Sequence, residues 1–242
     1  MNSREADVLA KNVAESLAAG NSAQAHSLLE LVLEQRTPFR LLDRIAAEVG
    51  SGQWQETKAL LDCIAEGGSE GGWVVIGGVL RQQYARRPSS AFSECRRCIV
   101  VADRWYGADI LGERVPGPAL VQDFDQARTL LAPWRNDSNH WVRRSVGVAV
   151  HFWAKRAGGD PSLAERAEIL LAFLEPMFGE WEMDAVKGVG WGLKTLGRYY
   201  PVQLADWLET QSGRRHRRLM LRKALTYLPN TERDRVMGIY GL

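Results

Sequence analysis

Trp105 and Asp109 are the pair of side chains in this sequence best suited to chemistry on a positively charged group. They lie between an apolar run that ends at Ala102 and a break rich in proline and glycine at residues 115–118. On a helix, two residues four positions apart share one face. An aromatic ring beside a carboxylate could then hold and stabilise a cation. The alternative is a packed indole next to a solvated acid, and the choice depends on residues further along the chain.

A second aromatic residue is followed by a cation at Trp141 and Arg144. These two residues are three positions apart, so on a helix they share a face while Arg143 points elsewhere. A guanidinium at this place could hold a phosphate through two hydrogen bonds. An ion pair between Arg144 and Asp137, or another acid, is the alternative.

The segment from Val186 to Lys194 contains three glycines, which is unusual for a helix because each costs about 1 kcal/mol relative to alanine. Their density indicates that something approaches the backbone closely, and either a neighbouring helix or a nucleic-acid backbone would fit. Lys187 and Lys194 share a helical face with Trp191, which lies between them. A large aromatic side chain flanked by two cations favours a nucleic-acid contact over a core position.

A basic run near the end of the sequence contains no acid. Its members are Arg214, Arg215, Arg217, Arg218, Arg222 and Lys223, with His216 among them. Because the formal net charge of the chain is only +2, this local run says more about possible partners than the total charge does. The run indicates phosphate binding, and a solvated basic face is the alternative.

The composition is that of a globular protein, since 45% of the 242 residues are hydrophobic and 25% are charged. No apolar run reaches the roughly 18 residues that a membrane-spanning helix needs. The first residues are polar and include acids, unlike those of a signal peptide. We therefore expect a cytoplasmic protein without a membrane partner.

Metal and cofactor chemistry have little support in the sequence. The three cysteines are odd in number, and the pair Cys95 and Cys98 has neither a second pair nor histidines at zinc-finger spacing. The four histidines show no ligand spacing, and no glycine-rich phosphate-binding loop is present. We expect no metal and no cofactor.

Apolar residues recur every three to four positions along nearly the whole chain, which predicts an all-α fold of about a dozen helices joined by short turns. Residues 115–118 form one of the predicted turns. The segments 141–146 and 185–189 look alike, with Val142 and Val186 separated by 44 positions (186 − 142). Leu221 begins a candidate third copy. An apolar-basic-basic start on every second helix is typical of HEAT-like repeats, and predicts a single-domain solenoid over residues 1–242 with a basic concave face.

Three motifs occur in order: Trp105-x-x-x-Asp109, Trp141-x-x-Arg144 and Lys187-Gly188-Val189-Gly190-Trp191. In an all-helical chain of this size, the ordered set resembles the DNA alkylation repair glycosylases of the AlkD type, over roughly residues 70–235. The resemblance implies a HEAT-like solenoid that cradles duplex DNA. It also implies that Trp105 and Trp191 flank the deoxyribose of the damaged nucleotide, that Asp109 is the catalytic carboxylate and that Arg144 contacts the DNA backbone. Two features depart from the family: Tyr106 stands where an acid is common, and the first 60 or so residues lack the usual aromatic-glycine loop.

The resemblance implies excision of positively charged N3- or N7-alkylpurines from duplex DNA, by hydrolysis of the N-glycosidic bond and without flipping the base into a pocket. Such a base leaves as a neutral molecule, so no general acid is needed and one carboxylate is enough, whereas ordinary glycoside hydrolysis uses two. Whether the alkyl group is a methyl or a bulky adduct stays open. We expect a monomer whose partner is alkylated double-stranded DNA. The predicted DNA-binding residues are Arg143, Arg144, Lys187, Lys194, Arg214, Arg215, Arg217 and Arg218.

Two other functions remain open at this point. The first is a helical-repeat protein that binds DNA or RNA without catalysis, in which Asp109 has no special role. The second is a HEAT-type scaffold for protein interactions. The presence of Trp105, Asp109 and Trp191 together favours the enzyme over the binding protein, and the basic residues favour either of these over the scaffold.

Overall fold

The computed structural model describes residues 1–241, which contain α-helices, short 3₁₀ turns and no strand. The all-α prediction is therefore confirmed. The chain forms two compact units, of which the first comprises Met1–Val115 and the second begins at Pro116. A single domain over the whole chain stays a prediction. No helix within residues 1–241 is both long and apolar enough to cross a membrane.

The first unit consists of seven helices in two layers. The helices are α1 (Ser3–Ala18), α2 (Ser22–Glu34), α3 (Phe39–Val49), α4 (Trp54–Gly67), α5 (Glu70–Tyr84), α6 (Pro88–Ala102) and α7 (Trp105–Arg114). Helices α1, α3, α5 and α7 pack on one another in sequence, and α2, α4 and α6 form the other row. This alternation of helices between two rows is the arrangement of stacked helix pairs.

The apolar period of the sequence explains which face of each helix is buried. In α3, for example, the buried residues are Leu41, Leu42, Ile45, Ala46 and Val49, which form one stripe along the helix. Helix α1 begins with a capping box, in which Asn2 accepts a hydrogen bond from the backbone N–H of Glu5 and the Glu5 side chain accepts one from that of Asn2.

The second unit repeats the two-row arrangement. Its helices are α8 (Pro116–Gln122), α9 (Phe124–Leu131), α10 (His140–Ala157), α11 (Ala164–Leu174), α12 (Met183–Tyr199), α13 (Pro201–Thr210), α14 (Arg218–Ala224) and α15 (Asn230–Tyr240). Helices α8, α10, α12 and α14 pack on one another in sequence, and α11, α13 and α15 form the other row. The three similar segments found in the sequence lie in α10, α12 and α14, which are successive helices of one row. A helical-repeat architecture is thus confirmed.

The number and ends of the helices differ somewhat from the prediction. Residues 1–241 contain more than a dozen α-helices, because α8, α9 and α14 are only seven or eight residues long and too short to show a clear apolar period. The predicted turn at residues 115–118 is wrong in extent. Only Val115 separates α7 from α8, since Pro116 and Pro118 lie in the first turn of α8, where the missing N–H groups of proline cost no helical hydrogen bond.

Candidate functional site

In the first unit, a tight turn places Trp105 at the first position of α7. Asp103 ends α6 in the left-handed conformation (φ 43°), and Arg104 is extended, so the chain reverses within two residues. Aspartate tolerates this conformation better than most residues. The Trp105 side chain is 59% exposed, and its ring meets that of Tyr106 edge to face at 5.8 Å between centroids.

Asp109 follows one turn later on α7 and is partly exposed. The helix is held closely at both ends. Near its start, Gly107 lies so close to Ala102 that a Cβ at Gly107 would be 2.5 Å from the Ala102 methyl group. At its end, Arg114 donates two hydrogen bonds to the Asp43 carboxylate, at 2.8 and 3.1 Å. The fold therefore presents an exposed indole and a carboxylate on a fixed helix, an arrangement that can receive a cation.

In the second unit, α10 begins with two arginines that have different surroundings. Arg143 donates to the Glu180 carboxylate at 2.6 Å and to the backbone carbonyls of Asp137 and Ser138. Burial alone would raise the pKa of Glu180, but hydrogen bonds from Arg143 and from two backbone N–H groups lower it below its ordinary value. Arg144 is only 8% exposed and donates to the backbone carbonyl of Asp184 at 3.2 Å. The two side chains diverge, as the spacing predicts.

Gly188, Gly190 and Gly192 of α12 face the neighbouring helices of the same row. Gly147 of α10 faces Gly188, so closely that a Cβ on either residue would overlap the other helix's backbone. A Cβ at Gly192 would lie 2.8 Å from the carbonyl oxygen of Gly147. Gly190 faces α14, where its nearest neighbours are the side-chain carbons of Lys223. Of the two possibilities left open by the sequence, close helix packing accounts for Gly188 and Gly192.

Trp191 is half-buried and stacks on the imidazole of His151, a residue that the sequence analysis did not single out. The ring centroids are 4.0 Å apart and the planes are 26° from parallel. The Nδ1 atom of His151 is 2.7 Å from the Thr195 hydroxyl oxygen. Burial lowers the pKa of His151 to about 4, and the positive charge of Lys155 acts in the same direction. The imidazole beneath Trp191 is therefore neutral at physiological pH.

Cations from three successive helices lie near one another in the second unit. Lys187 is exposed and 3.3 Å from the Asp184 carboxylate, while the Lys194 ammonium lies 4.6 Å from the centre of the Tyr227 ring. Lys223 of α14 is half-buried. Burial lowers the pKa of Lys223, and the charges of four neighbours lower it further. In decreasing order of effect these neighbours are Lys194, Arg144, Arg222 and Lys187.

The basic run before and within α14 does not form one uniform surface. Arg214 is paired with Glu175 at 2.9 Å. Arg215 and Arg217 both lie over the ring of Trp181, at 4.1 and 4.0 Å from its centre. Trp181 is 43% exposed. Spacing in the sequence did not point to this residue, because it precedes α12 and belongs to none of the motifs. Arg218 is exposed at the first position of α14.

The structure thus brings Trp105 and Asp109 together within the first unit. Within the second unit, it brings Arg144, Lys187, Lys194 and Lys223 together, with Trp191 on the same helix as the two middle lysines. Arg143 and Arg214 are engaged with carboxylates. Lys223 was visible in the sequence as part of the basic run, but nothing in the run distinguished it from its neighbours.

The cysteine pair lies inside α6 and is buried. Burial raises the pKa of the Cys98 thiol to about 12 and also raises that of Cys95. Both sulfurs are therefore protonated at neutral pH, which makes them weak nucleophiles and poor metal ligands. Within residues 1–241, no group of three or more His, Cys, Asp or Glu side chains is arranged to hold a metal ion.

The two rows of stacked helices define a helical-repeat protein. One of its units presents an exposed indole and a carboxylate, and the other has cations on successive helices. A sequence model of the DNA alkylation repair enzyme family matches residues 42–228, and the chain belongs to this family. The match begins at α3, further toward the N-terminus than the motifs alone indicated. No curated protein and no solved structure matches the chain. Family membership supports a role in DNA repair, with DNA as the partner.

Proposed function

We propose that this protein is a DNA glycosylase that removes positively charged N3- or N7-alkylpurines from duplex DNA by hydrolysing the N-glycosidic bond. The carboxylate of Asp109 stabilises the positive charge that develops on the sugar, and it orients the attacking water. The indole of Trp105 packs against the sugar and contributes a cation–π interaction. We also propose that Trp191 makes a second aromatic contact to the sugar.

The exposure of Trp105 is the observation that carries this proposal. Trp105 leaves 59% of its surface open, more than Trp181 at 43%, whereas Trp73, Trp134, Trp153 and Trp207 are buried. Leaving a large apolar ring exposed forgoes about 2 kcal/mol or more of hydrophobic stabilisation. An open indole on a firmly held helix, one turn before a carboxylate, is well suited to receive a ligand with cationic character.

A single carboxylate is sufficient for this reaction because of the leaving group. An N3- or N7-alkylated purine already carries a positive charge, and breaking the bond to the sugar releases it as a neutral base. The charge moves to the sugar, where an anion and aromatic faces lower the energy of the transition state. The proposal requires neither a metal nor a cofactor.

In this proposal the second unit supplies contacts to DNA phosphates through a basic concave face. Arg144, Lys187 and Lys194 support it because they lie on successive helices of one row. Arg143 and Arg214 are bound to Glu180 and Glu175, so we give them the role of holding their neighbours in place. The remaining predicted contacts are Arg215, Arg217 and Arg218.

The test is release of free base from alkylated duplex DNA by wild type and by Asp109→Asn. The amide keeps the shape of the side chain and removes only its charge. Excision should therefore fall by roughly 10² to 10³, as when one preorganised electrostatic group is removed elsewhere. DNA affinity and thermal stability should change little.

The matched control is Asp103→Asn, six positions earlier in the same unit (109 − 103). Asparagine tolerates the left-handed conformation of this position as well as aspartate does, so the control should fold and excise normally. If Asp109→Asn excised base at the wild-type rate while folded and bound to DNA, the enzyme would lose its central residue. A DNA-binding repeat protein without catalysis would then be the better description.

A further inference from the structure

The side chain of Lys223 lies against the backbone of α12 at Gly190, where a side chain on α12 would collide with it. A Cβ built on Gly190 of α12 would lie 2.6 Å from Cδ, 3.1 Å from Cβ and 3.5 Å from Cγ of Lys223. All three of these nearest atoms belong to the lysine stem. The stem therefore lies flat against α12, and any side chain at position 190 would displace it.

Gly190 differs in this respect from Gly188 and Gly192, which flank it in α12. A Cβ at Gly188 or Gly192 would collide with the backbone of α10, so those residues are explained by helix packing. The three atoms nearest to the Cβ of an alanine at position 190 would all belong to the side chain of Lys223, of which Cδ can move away while Cβ would have to shift slightly. Since glycine costs about 1 kcal/mol relative to alanine inside a helix, this position loses helix stability in order to accommodate one lysine.

The charges of four further cations act on the Lys223 ammonium, and these cations come from three successive helices of one row. Arg144 comes from α10, Lys187 and Lys194 come from α12, and Arg222 is the preceding residue on α14. Asp184, an acid at the start of α12, pairs with Lys187. Within residues 1–241, no carboxylate forms an ion pair with Lys223. The neighbouring cations therefore repel the Lys223 ammonium in the free protein.

We propose that Lys223, together with Lys194 and Arg144, binds a phosphodiester group of the DNA backbone. Gly190 is required in this proposal because it leaves room for the Lys223 stem against α12. The proposal rests on the proposed function and identifies which residues of the second unit hold the DNA. A phosphodiester relieves the mutual repulsion of the cations, which a neutral ligand would not do. The row of cations crosses three helices whose axes pack about 8 to 10 Å apart, which suits an extended polyanion better than one small anion.

The first experiment compares Lys223→Met with wild type in binding an undamaged DNA duplex, followed by fluorescence anisotropy over a range of salt concentrations. Methionine keeps most of the apolar stem and removes the charge. Loss of one phosphate contact should make the slope of log K against log salt shallower by about 0.9. Lys155→Met is the matched control, because Lys155 is exposed in the last turn of α10, roughly 16 Å along the helix from Arg144. The control should leave the slope unchanged.

The second experiment uses Gly190→Ala, which leaves every charge in place. Its melting temperature should stay close to that of wild type, because the preference of alanine for the helix offsets the small shift needed at Lys223 Cβ, which would be 3.1 Å away. Its affinity for the duplex should nevertheless fall, because the Lys223 stem is displaced from α12. An unchanged affinity in a folded Gly190→Ala variant would overturn the proposed role of the glycine, and an unchanged salt slope in Lys223→Met would overturn the phosphate site.

Raising the pH provides a readout that a purely structural role of Lys223 would not affect. The pKa of Lys223 is below its ordinary value of 10.5 in the free protein. Binding a phosphate requires the protonated amine, so wild-type affinity should decline as the pH rises through this lowered pKa. Lys223→Met should show a smaller decline over the same range, and an identical decline would count against the proposal.

A free anion is the competing ligand for this cluster, and inorganic phosphate tests it. The melting temperatures of wild type and Lys223→Met are compared in phosphate and in chloride at equal ionic strength. If phosphate raised the melting temperature of wild type alone, while the two proteins bound DNA equally, the site would be one for a free anion and the inference would be overturned.

Release of alkylated base, which tests Asp109, is measured separately from binding of undamaged DNA. The phosphate site can thus fail while base excision is confirmed, and base excision can fail while the phosphate site is confirmed.

Discussion

At the scale of single residues, the contact between Trp191 and His151 makes the stability of the folded protein depend on pH, because it disfavours protonation of the His151 imidazole. The imidazole packs face to face against the indole and is hydrogen-bonded to Thr195, so it has little access to water. A proton on this ring would be desolvated and would lie near the charge of Lys155. The folded protein therefore favours the neutral form.

The free energy of unfolding should consequently fall as the pH is lowered from 6.5 to about 4. The pKa of His151 is about 4 in the folded chain and 6.5 when unperturbed, so in this interval the unfolded chain binds a proton that the folded chain does not. Above 6.5 this contribution is fully present, and below about 4 it falls no further. One pKa unit corresponds to about 1.4 kcal/mol, so the difference between 6.5 and about 4 sets an upper limit of about 3.5 kcal/mol, and screening by solvent reduces the expected loss to the order of 2 to 3 kcal/mol. Urea unfolding at several pH values measures it.

The control for this prediction is His151→Phe, which keeps an aromatic plane under Trp191 and cannot take up a proton. Its stability should depend less steeply on pH between 6.5 and 4 than that of wild type. Equal pH dependence of the two proteins would mean that the imidazole titrates normally in the folded state.

Spacing along one helix was enough to predict some of these residue-scale features. It predicted that Trp105 and Asp109 share a face and that Arg143 and Arg144 diverge. It could not predict that His151 lies under Trp191, because the two residues belong to different helices and are 40 positions apart (191 − 151). The same holds for the contact of Lys223 with Gly190, since a single sequence does not specify which residues of neighbouring helices meet.

At the scale of helices, the closest packing in the second unit is between α10 and α12. Gly147, Gly188 and Gly192 allow the two backbones to approach until no Cβ would fit between them. The sequence predicted a close approach at this segment, but it could not distinguish a neighbouring helix from a nucleic-acid backbone, because a missing side chain leaves room for either.

Gly147→Ala and Gly190→Ala should therefore differ in stability, although both place the same methyl group in the middle of a helix. The first substitution meets the backbone at Gly188 and Val189, which cannot move without shifting α12. It should cost about 1 to 3 kcal/mol, as overpacking of a core commonly does. The second meets the side chain of Lys223, most of which can move, and should cost much less. Thermal unfolding of the two variants checks this, and equal melting temperatures would contradict the assignment of the two glycines.

Helix ends were predicted less well than helices. The period of the apolar residues identified the long helices, because burial of one face requires it. Residues 115–118 have the composition of a turn, because proline and glycine usually interrupt helices. Their structure depends instead on where α8 begins, since proline is acceptable in a first turn. That starting point is decided by packing of α8 on α10, which the sequence does not show.

At the scale of the whole molecule, the placement of charge matters more than its sum. The formal net charge is +2, yet cations gather on one row of helices in the second unit and in the run that leads into α14. Arg214 of this run is neutralised by Glu175, while Arg215 and Arg217 lie on the exposed ring of Trp181. A cation held over an aromatic ring keeps its charge, so these two arginines remain able to contact phosphate.

Replacing the four arginines of the run by alanine should make the slope of log K against log salt for duplex DNA shallower. Each phosphate contact contributes about −0.9 to this slope. Because Arg214 is already paired with an acid, we expect the change to correspond to three contacts or fewer, which is roughly 2.7 at most. The variant carries the substitutions at Arg214, Arg215, Arg217 and Arg218.

Such a variant also changes the net charge from +2 to −2, which could weaken DNA binding without any specific contact. A second variant with the same net charge resolves this, because it removes four exposed arginines of the first unit to which the proposal gives no DNA contact. Its slope of log K against log salt should stay close to that of wild type. Its affinity for DNA should fall somewhat, because the lower net charge weakens the long-range electrostatic attraction. If both variants flattened the slope equally, the run before α14 would be a solvated face, and DNA binding would depend on total charge. The substitutions of this control are at Arg4, Arg36, Arg40 and Arg87.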